Sequence, residues 1–87
     1  MPRVFIPSSM RRSCGGTASI ELSGHTVREL VDRLDERFPG FRVRLCAGDQ
    51  LKSGLAVAVD SRISDLGLME SVNPDSEVHF VSSVGGG

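Results

Sequence analysis

The sequence predicts an α+β domain in which one main helix packs on a small mixed sheet. One amphipathic helical stretch lies at residues 26–38, and short β-branched or alternating runs precede and follow it. The length of 87 residues suits a single hydrophobic core. Because a domain of this size buries only about 60% of the surface of its unfolded chain, it has little depth for an elaborate active site. The size therefore favours a protein that acts through partners.

The composition is that of an ordinary folded protein. Hydrophobic residues make up 39% and charged residues 24% of the chain, and the net charge is -1. Nine arginines and Lys52 are interspersed with eleven acidic residues, so we expect no basic stripe and no nucleic-acid partner. The pair Arg11-Arg12 is interpreted as part of a solvated loop. No run approaches the ~20 apolar residues that cross a bilayer, and residues 1–6 lack the apolar run of a signal peptide. We expect a cytoplasmic protein with no membrane partner.

Two strands are predicted before the helix. Residues 3–7 hold a β-branched and aromatic run that stops at Pro7, as a short strand would. Residues 17–22 alternate apolar and polar side chains, which predicts a half-buried strand that pairs with the first as a hairpin. Residues 7–16 between them contain serines and a glycine pair, and they predict a loop.

The main helix is predicted to begin after Thr26. Thr26 can cap the backbone of the first turn, and Glu29 can reach back to Thr26. Acidic residues early in the helix and basic residues late suit the helix dipole, and Glu29 stands four and eight residues before Arg33 and Arg37. Pro39-Gly40 predicts the end of this helix. These charges are those of a solvated helix surface, so they need no catalytic role. The apolar stripe of the helix consists of Val27, Leu30, Val31, Leu34 and Phe38.

The second half of the chain predicts further strands. Apolar residues at 41, 43 and 45 favour a short irregular or helical piece, and residues 47–54 predict a polar loop. Residues 55–59 and 77–81 predict strands, with a turn at residues 73–76 before the last one. The irregular pattern of residues 63–72 leaves a short strand near Ile63 open.

This order of elements is typical of the β-grasp fold, with one helix across a four- or five-stranded mixed sheet. We expect one domain over residues 1–81. The sheet residues expected in its core are Val4, Ile6, Ile20, Leu55, Val57, Val78 and Phe80.

The two cysteines, Cys14 and Cys46, are too few for a structural zinc site or an iron–sulfur cluster and are not spaced as a redox pair. We therefore expect no metal and interpret both as free thiols. Cys14 precedes Gly15-Gly16 in the predicted loop, which leaves a reactive role for its thiol open.

Residues 82–87 predict a flexible tail that ends in three glycines. Glycines add nothing to a core and are entropically costly to order, so three consecutive glycines call for a role other than folding. A frayed end is the simplest alternative. A tail of this length can extend ~20 Å from the domain, and without Cβ atoms it can enter a narrow channel. We therefore expect Gly87 to be presented to another protein.

Several segments spread along nearly the whole chain form one set of motifs. They are Val4-Phe5-Ile6-Pro7, the loop from Arg11-Arg12 to Gly15-Gly16, Thr26-Val27-Arg28-Glu29-Leu30, Asp35-Glu36-Arg37-Phe38-Pro39-Gly40, Glu77-Val78 and Gly86-Gly87. Together they resemble the MoaD/ThiS family of ubiquitin-like sulfur carriers, in particular its actinobacterial CysO-like branch. Val59-Asp60 stands where the family commonly has Val-Asn. The turn at residues 74–78 and the spacer at residues 82–84 also differ from the sequences common in the family.

The resemblance implies that the chain is a co-substrate of other enzymes, binds no cofactor itself and is not an enzyme. An E1-like adenylating enzyme of the MoeB/ThiF/MoeZ kind would use ATP and magnesium to activate the Gly87 carboxylate. Sulfur from a donor would then form a thiocarboxylate, which donates sulfur to a biosynthetic enzyme that makes cysteine, molybdopterin, thiazole or a natural product. Val84, Gly85 and Gly86 would be recognised in the tail.

Strand parity predicts which residues face away from the helix, and the resemblance implies that this face docks the activating enzyme. The alternation places an apolar set with one polar member there. Its members are Phe5, Ala56, Ala58, His79 and Val81.

Three other functions stay open. Gly87 can equally serve a protein modifier that forms isopeptide bonds, or the chain can be a non-catalytic small subunit or scaffold of a larger synthase. An autonomous enzyme is the weakest alternative because no cluster of nucleophile, base and orienting acid is visible. His25 and His79 lie on unrelated segments. The sequence does not identify the sulfur donor or the acceptor.

Overall fold

The computed structural model describes residues 1–82, and the predicted tail residues Val84, Gly85, Gly86 and Gly87 lie outside them. Within this range the chain forms a ubiquitin-like β-grasp fold with one main helix, as the sequence predicts. The strands are β1 Arg3–Phe5, β2 Ser19–Glu21, β3 Cys46–Ala47, β4 Gln50–Leu51, β5 Leu55–Val59, β6 Arg62–Ile63 and β7 Glu77–Ser82, and the helices are α1 Val27–Arg37 and α2 Phe41–Leu45.

The described residues form a five-stranded mixed sheet in the order β2-β1-β7-β5-β6. β1 and β7 are parallel, whereas the other neighbouring strands are antiparallel. β7 lies in the centre, where Phe5 of β1 and Ala58 of β5 flank His79 on either side. Because two neighbours hydrogen-bond to β7, its position and its end are fixed by the whole sheet.

The core lies between α1 and one face of the sheet. The α1 residues Val27, Leu30, Val31 and Leu34 are buried, and Phe38 is partly buried against them. Each buried aliphatic side chain contributes about 1.5–3 kcal/mol relative to an exposed one. The sheet residues expected in the core are all found there. Val4, Ile6, Val57, Val78 and Phe80 are buried, and Ile20 and Leu55 pack partly buried against them.

The start of α1 is capped as the sequence predicts, with one difference. The Thr26 hydroxyl accepts a hydrogen bond from the Glu29 N–H at 3.3 Å. The Glu29 carboxylate accepts from the N–H of His25 at 2.8 Å, one residue before the predicted Thr26. Although Glu29 stands four residues before Arg33, Arg33 pairs with Glu36 at 3.3 Å. Gly40, whose φ is 96°, turns the chain into α2.

The predicted polar loop of residues 47–54 is wrong in part, because a two-stranded ribbon of β3 and β4 occupies its first half. The ribbon buries Cys46 and packs Leu51 against the core. The loop of residues 7–16 contains two short 3-10 turns, Ser8–Met10 and Arg12–Cys14. These stretches contain few apolar residues, so an analysis of apolar periodicity does not detect the ribbon or the 3-10 turns.

The turn between β5 and β6 fixes the far edge of the sheet. Asp60 and Ser61 adopt the left-handed region, with φ values of 52° and 71°, as hairpin turns with right-handed twist require. The Asp60 carboxylate accepts hydrogen bonds from the Ser76 hydroxyl at 3.2 Å and the Glu77 N–H at 2.9 Å. These bonds hold the β5–β6 turn against the predicted turn at residues 73–76. The short strand that the sequence left open near Ile63 is present as β6.

Candidate functional site

The face of the sheet opposite α1 brings the predicted apolar set together. Phe5 lies beside His79, and their rings stack with centroids 4.2 Å apart and planes inclined by 6°. Ala58 lies on the other side of His79, and Ala56 is the cross-strand neighbour of Val81. The residues predicted from strand parity therefore share one contiguous surface, which we call the open face.

On the open face, small side chains lie beside the aromatic stack. Ala58 is only 8% exposed, whereas Phe5, Ala56, His79 and Val81 are half-buried. Exposed apolar patches of this kind often mark sites where another protein binds.

Ile63 extends the open face at the β6 edge. It is the cross-strand partner of Ala58, and its side chain is 61% exposed. Sequence reasoning missed Ile63 because its face depends on the register of β5 and β6, and neither strand length nor alternation specifies that register. At the opposite edge, an ion pair of Arg3 and Glu21 at 3.0 Å borders the apolar surface. The open face thus has a polar edge at β2 and an apolar edge at β6.

β7 leads from the centre of the sheet to the candidate tail. Its last residue, Ser82, is paired with Leu55 at the start of β5. Val81 lies on the open face one residue earlier, so this surface reaches the point where residues 83–87 begin. The structure does not describe the four predicted tail residues, so it places none of them.

The two histidines lie apart, in different environments. His25 precedes the cap of α1, and its N–H bonds to Glu29, whereas His79 stacks on Phe5 in the sheet. Within residues 1–82, no group of three or more His, Cys, Asp or Glu side chains is arranged to hold a metal ion. In the same range, the helices are too short or too polar for any of them to cross a membrane.

Cys14 and Cys46 are both unpaired thiols buried in the core. Burial raises the pKa of the Cys14 thiol, and the nearby Arg44 guanidinium opposes this only in part. Burial likewise raises the pKa of Cys46. The structure disfavours the reactive role left open for Cys14, because its thiol is 1% exposed and burial raises the thiol pKa.

Comparison with known proteins identifies the family. Residues 6–87 match the ThiS family, which is nearly the whole chain. The chain belongs to the ThiS family. No protein of curated function matches the sequence significantly.

Solved structures agree with this assignment. A chain of the Amycolatopsis orientalis BexX/CysO complex is 29% identical with a TM-score of 0.89, and the match covers 100% of both chains. Mycobacterium tuberculosis CysO is 22% identical with a TM-score of 0.85, over 97% of this chain and 100% of that one. Haloferax volcanii small archaeal modifier protein 1 is 20% identical with a TM-score of 0.71, over 99% and 98%. At these low identities, the last two structures show similarity of fold alone.

The family assignment confirms the resemblance drawn from the sequence motifs. Members of this family are ubiquitin-like sulfur carriers and are generally not catalysts, so membership supports a sulfur-carrier role for this chain. An open apolar face beside the strand that leads to a glycine-rich segment is an arrangement that suits such a role.

Proposed function

We propose that this chain is a sulfur carrier whose Gly87 carboxylate is adenylated and then converted to a thiocarboxylate. The observation that supports the proposal most is the family match, which extends through residue 87 and so includes the three consecutive glycines. The chain then acts as a co-substrate, and the reacting group is its own main-chain carboxylate.

The carboxylate needs activation because its delocalised charge makes it a poor acyl donor. An E1-like adenylating enzyme of the MoeB/ThiF/MoeZ kind, with ATP and magnesium, joins a Gly87 oxygen to the α-phosphorus and releases pyrophosphate. A sulfur nucleophile at the oxidation level of sulfide then attacks the carbonyl carbon. The new C–S bond replaces the C–O bond to AMP, and AMP leaves with the electron pair. Because this chemistry consumes ATP, we expect it in the cytoplasm.

The contribution of the chain itself is to present Gly87 to the active site of its partner. Val84, Gly85 and Gly86 are proposed to be recognised in the tail, where the glycines lack Cβ atoms that would obstruct a narrow channel. An unbranched α-carbon at Gly87 also leaves its carbonyl open to attack. The central position of β7 gives this segment a fixed starting point at Ser82.

The open face is proposed to dock the activating enzyme. It is contiguous and apolar, and it ends at Val81, next to the segment that has to enter the partner's active site. Aromatic side chains such as Phe5 are enriched at protein interfaces. Docking there brings the tail and the catalytic site of the partner together, which lowers the entropic cost of the reaction.

The loaded chain is proposed to pass its sulfur to a biosynthetic enzyme. A thiocarboxylate stays ionised at neutral pH and is a soft nucleophile, so it can attack an electrophilic acceptor held by that enzyme. Support comes from the Amycolatopsis orientalis structure, in which CysO forms a complex with BexX. A carrier of this fold can therefore assemble with a separate partner protein.

The proposal is tested by incubating the purified chain with ATP, magnesium, an E1-like enzyme and sulfide. We expect a mass change of one oxygen-to-sulfur exchange that fragmentation assigns to Gly87. A variant lacking Gly86 and Gly87 should show no exchange. Covalent adducts on lysines of other proteins would indicate a modifier, whereas full partner activity in the truncated variant would indicate a scaffold.

A further inference from the structure

One end of the sheet collects positive charge in a protein whose net charge is -1. The end of β1, the start of β2, the start of β5 and the end of β7 all lie at this end. Residues 7–16 connect β1 to β2 there, and they include Arg11 and Arg12. The sequence has no Asp or Glu in residues 1–20 or in residues 78–87.

Arg44 of α2 joins the two loop arginines across the tertiary structure. Its guanidinium donates a hydrogen bond to the hydroxyl of Ser13 at 2.7 Å, which places it against the Arg12–Cys14 turn. Sequence reasoning treated Arg11-Arg12 as an isolated pair because Arg44 is more than thirty residues away in the chain. We call Arg11, Arg12 and Arg44 the basic cluster.

The charges of the basic cluster are not compensated within residues 1–82. Arg44 and Arg11 donate to neutral oxygens, the Ser13 hydroxyl and the Ile6 carbonyl, the latter at 3.0 Å. Arg12 is exposed. Four other arginines behave differently, because each has a carboxylate partner, whereas Arg37 on α1 and Arg62 on β6 have none within residues 1–82 and lie outside the cluster. These pairs are Arg3 with Glu21, Arg28 with Asp49, Arg33 with Glu36 and Arg42 with Asp32.

A groove of about 310 Å³ lies beside the basic cluster. It opens between the Ser8–Met10 turn, the end of α2 and the end of β7, and Val81 forms part of its wall. Among residues 1–82 no carboxylate lines it. Its walls are mixed, because polar atoms, including those of Arg44 and two serines, line it together with apolar side chains, and the residues that matter here are Met10, Arg44, Leu45, Leu55, Phe80 and Val81.

The opposite end of the sheet has the opposite sign. Asp60 follows β5, Asp75 and Glu77 lie at the start of β7 and Glu21 ends β2, and these carboxylates outnumber the two arginines at this end, Arg3 and Arg62. The domain is therefore electrically polarised along β7, with its positive end where residues 83–87 begin. A partner that encloses those residues has to approach this end of the sheet, and an acidic surface on the partner would be attracted and oriented by the polarisation.

We infer that the basic cluster and its groove form a second docking element, which receives an acidic and apolar surface segment of the adenylating enzyme. This inference rests on the proposed function. The groove receives a side chain of the partner, and the arginines pair with carboxylates around it. The open face supplies apolar contact, whereas the basic cluster raises the rate of encounter and orients the tail.

The test measures kcat/KM for thiocarboxylate formation by the adenylating enzyme at low and high ionic strength. Arg12→Glu and Arg44→Glu should each lower kcat/KM at low salt on the order of tenfold, mainly through KM, because steering of this kind changes association rates by 10-fold or more. The loss should shrink at high salt as screening shortens the range of the charges. Arg44→Gln, which removes the positive charge without adding a negative one, should lower kcat/KM by less than Arg44→Glu.

The matched control is Arg33→Glu, which makes the same change in net charge on the solvent side of α1. Its kcat/KM should stay near that of the wild type. Folding of each variant is verified by urea unfolding. Wild-type rates in Arg12→Glu and Arg44→Glu, or an equal loss in Arg33→Glu, would overturn the inference while leaving the carrier function intact. Absence of thiocarboxylate on the wild-type chain would instead refute the proposed function itself.

Discussion

The two faces of the sheet are built from alternating residues of the same strands, yet they have different surroundings. On the face covered by α1, Val4, Val57 and Val78 are 0% exposed. On the open face, their chain neighbours Phe5 and His79 remain half-buried although they are aromatic. One main helix covers one face only, so a chain of this length leaves the other face available to partners.

Stability and recognition are thus assigned to alternating residues of a single strand. A substitution on the covered face should lower the free energy of unfolding, whereas one on the open face should alter loading of sulfur and leave folding nearly unchanged. The following predictions test this separation.

The largest effect is expected in the core under α1. Leu34→Ala should lower the free energy of unfolding by about 2–5 kcal/mol, because it removes a buried side chain and leaves a cavity. The matched control is Ile63→Ala on the open face, which should change stability by no more than about 0.5 kcal/mol. Urea unfolding of both variants measures the difference. Similar losses in the two variants would contradict the division between the faces.

The next effect concerns loading rather than folding. Ile63→Ser should lower kcat/KM for thiocarboxylate formation by roughly tenfold, which corresponds to about 1.4 kcal/mol, because it removes exposed apolar contact area from the docking face. Val43→Ser is the control, since Val43 is also exposed, at 69%, but lies on α2. Equal loading rates in the two variants would show that the open face does not dock the activating enzyme.

A smaller effect is expected at the start of the helix that covers the core. Thr26→Ala removes the hydroxyl that accepts from the Glu29 N–H, and the free energy of unfolding should fall by about 1 kcal/mol. Ser23→Ala, at an exposed position before the helix, should have little effect. A Thr26→Ala protein as stable as the wild type in urea would show that the cap does not support the covered face.

The smallest effect concerns the buried thiols and appears only at alkaline pH. Burial raises the pKa of Cys14 and Cys46 above their ordinary value of 9.0. The unfolded chain therefore releases these protons first, so stability is fully present below about pH 9 and falls as the pH rises further. Urea unfolding at neutral and alkaline pH should show this fall, and a Cys14→Ala, Cys46→Ala variant should show less of it. An equal pH dependence in wild type and variant would contradict burial as the cause.

Thiol alkylation gives an independent measurement on the same residues. Iodoacetamide should modify both cysteines slowly in the native protein and rapidly in urea, because protonated buried thiols are poor nucleophiles. Rapid modification of native Cys14 would restore the reactive role that its place in the sequence left open.

Much of the fold could be predicted from the sequence because its signals are local. The cap at Thr26 and the stripe from Val27 to Phe38 identify α1 within a single stretch of chain. Alternation in β5 and β7 separates the covered face from the open face, so Phe5 and His79 could be placed on one side before their stacking was known.

The rest depends on contacts between distant segments, which alternation does not encode. The register of β5 and β6 sets Ile63 on the open face, and the 3-10 turn at residues 12–14 buries Cys14. The ribbon of β3 and β4 is too short and polar to show a period. Arg44 meets the loop of residues 7–16 only through packing of α2.

The central claim is that sulfur is attached at Gly87, and intact mass followed by fragmentation tests it most directly. After reaction with ATP, magnesium, the adenylating enzyme and sulfide, we expect one oxygen-to-sulfur exchange at Gly87, and none in a chain that lacks Gly86 and Gly87. A net addition of sulfur at Cys14 or Cys46, or an unchanged mass under conditions where the enzyme is active, would contradict the claim.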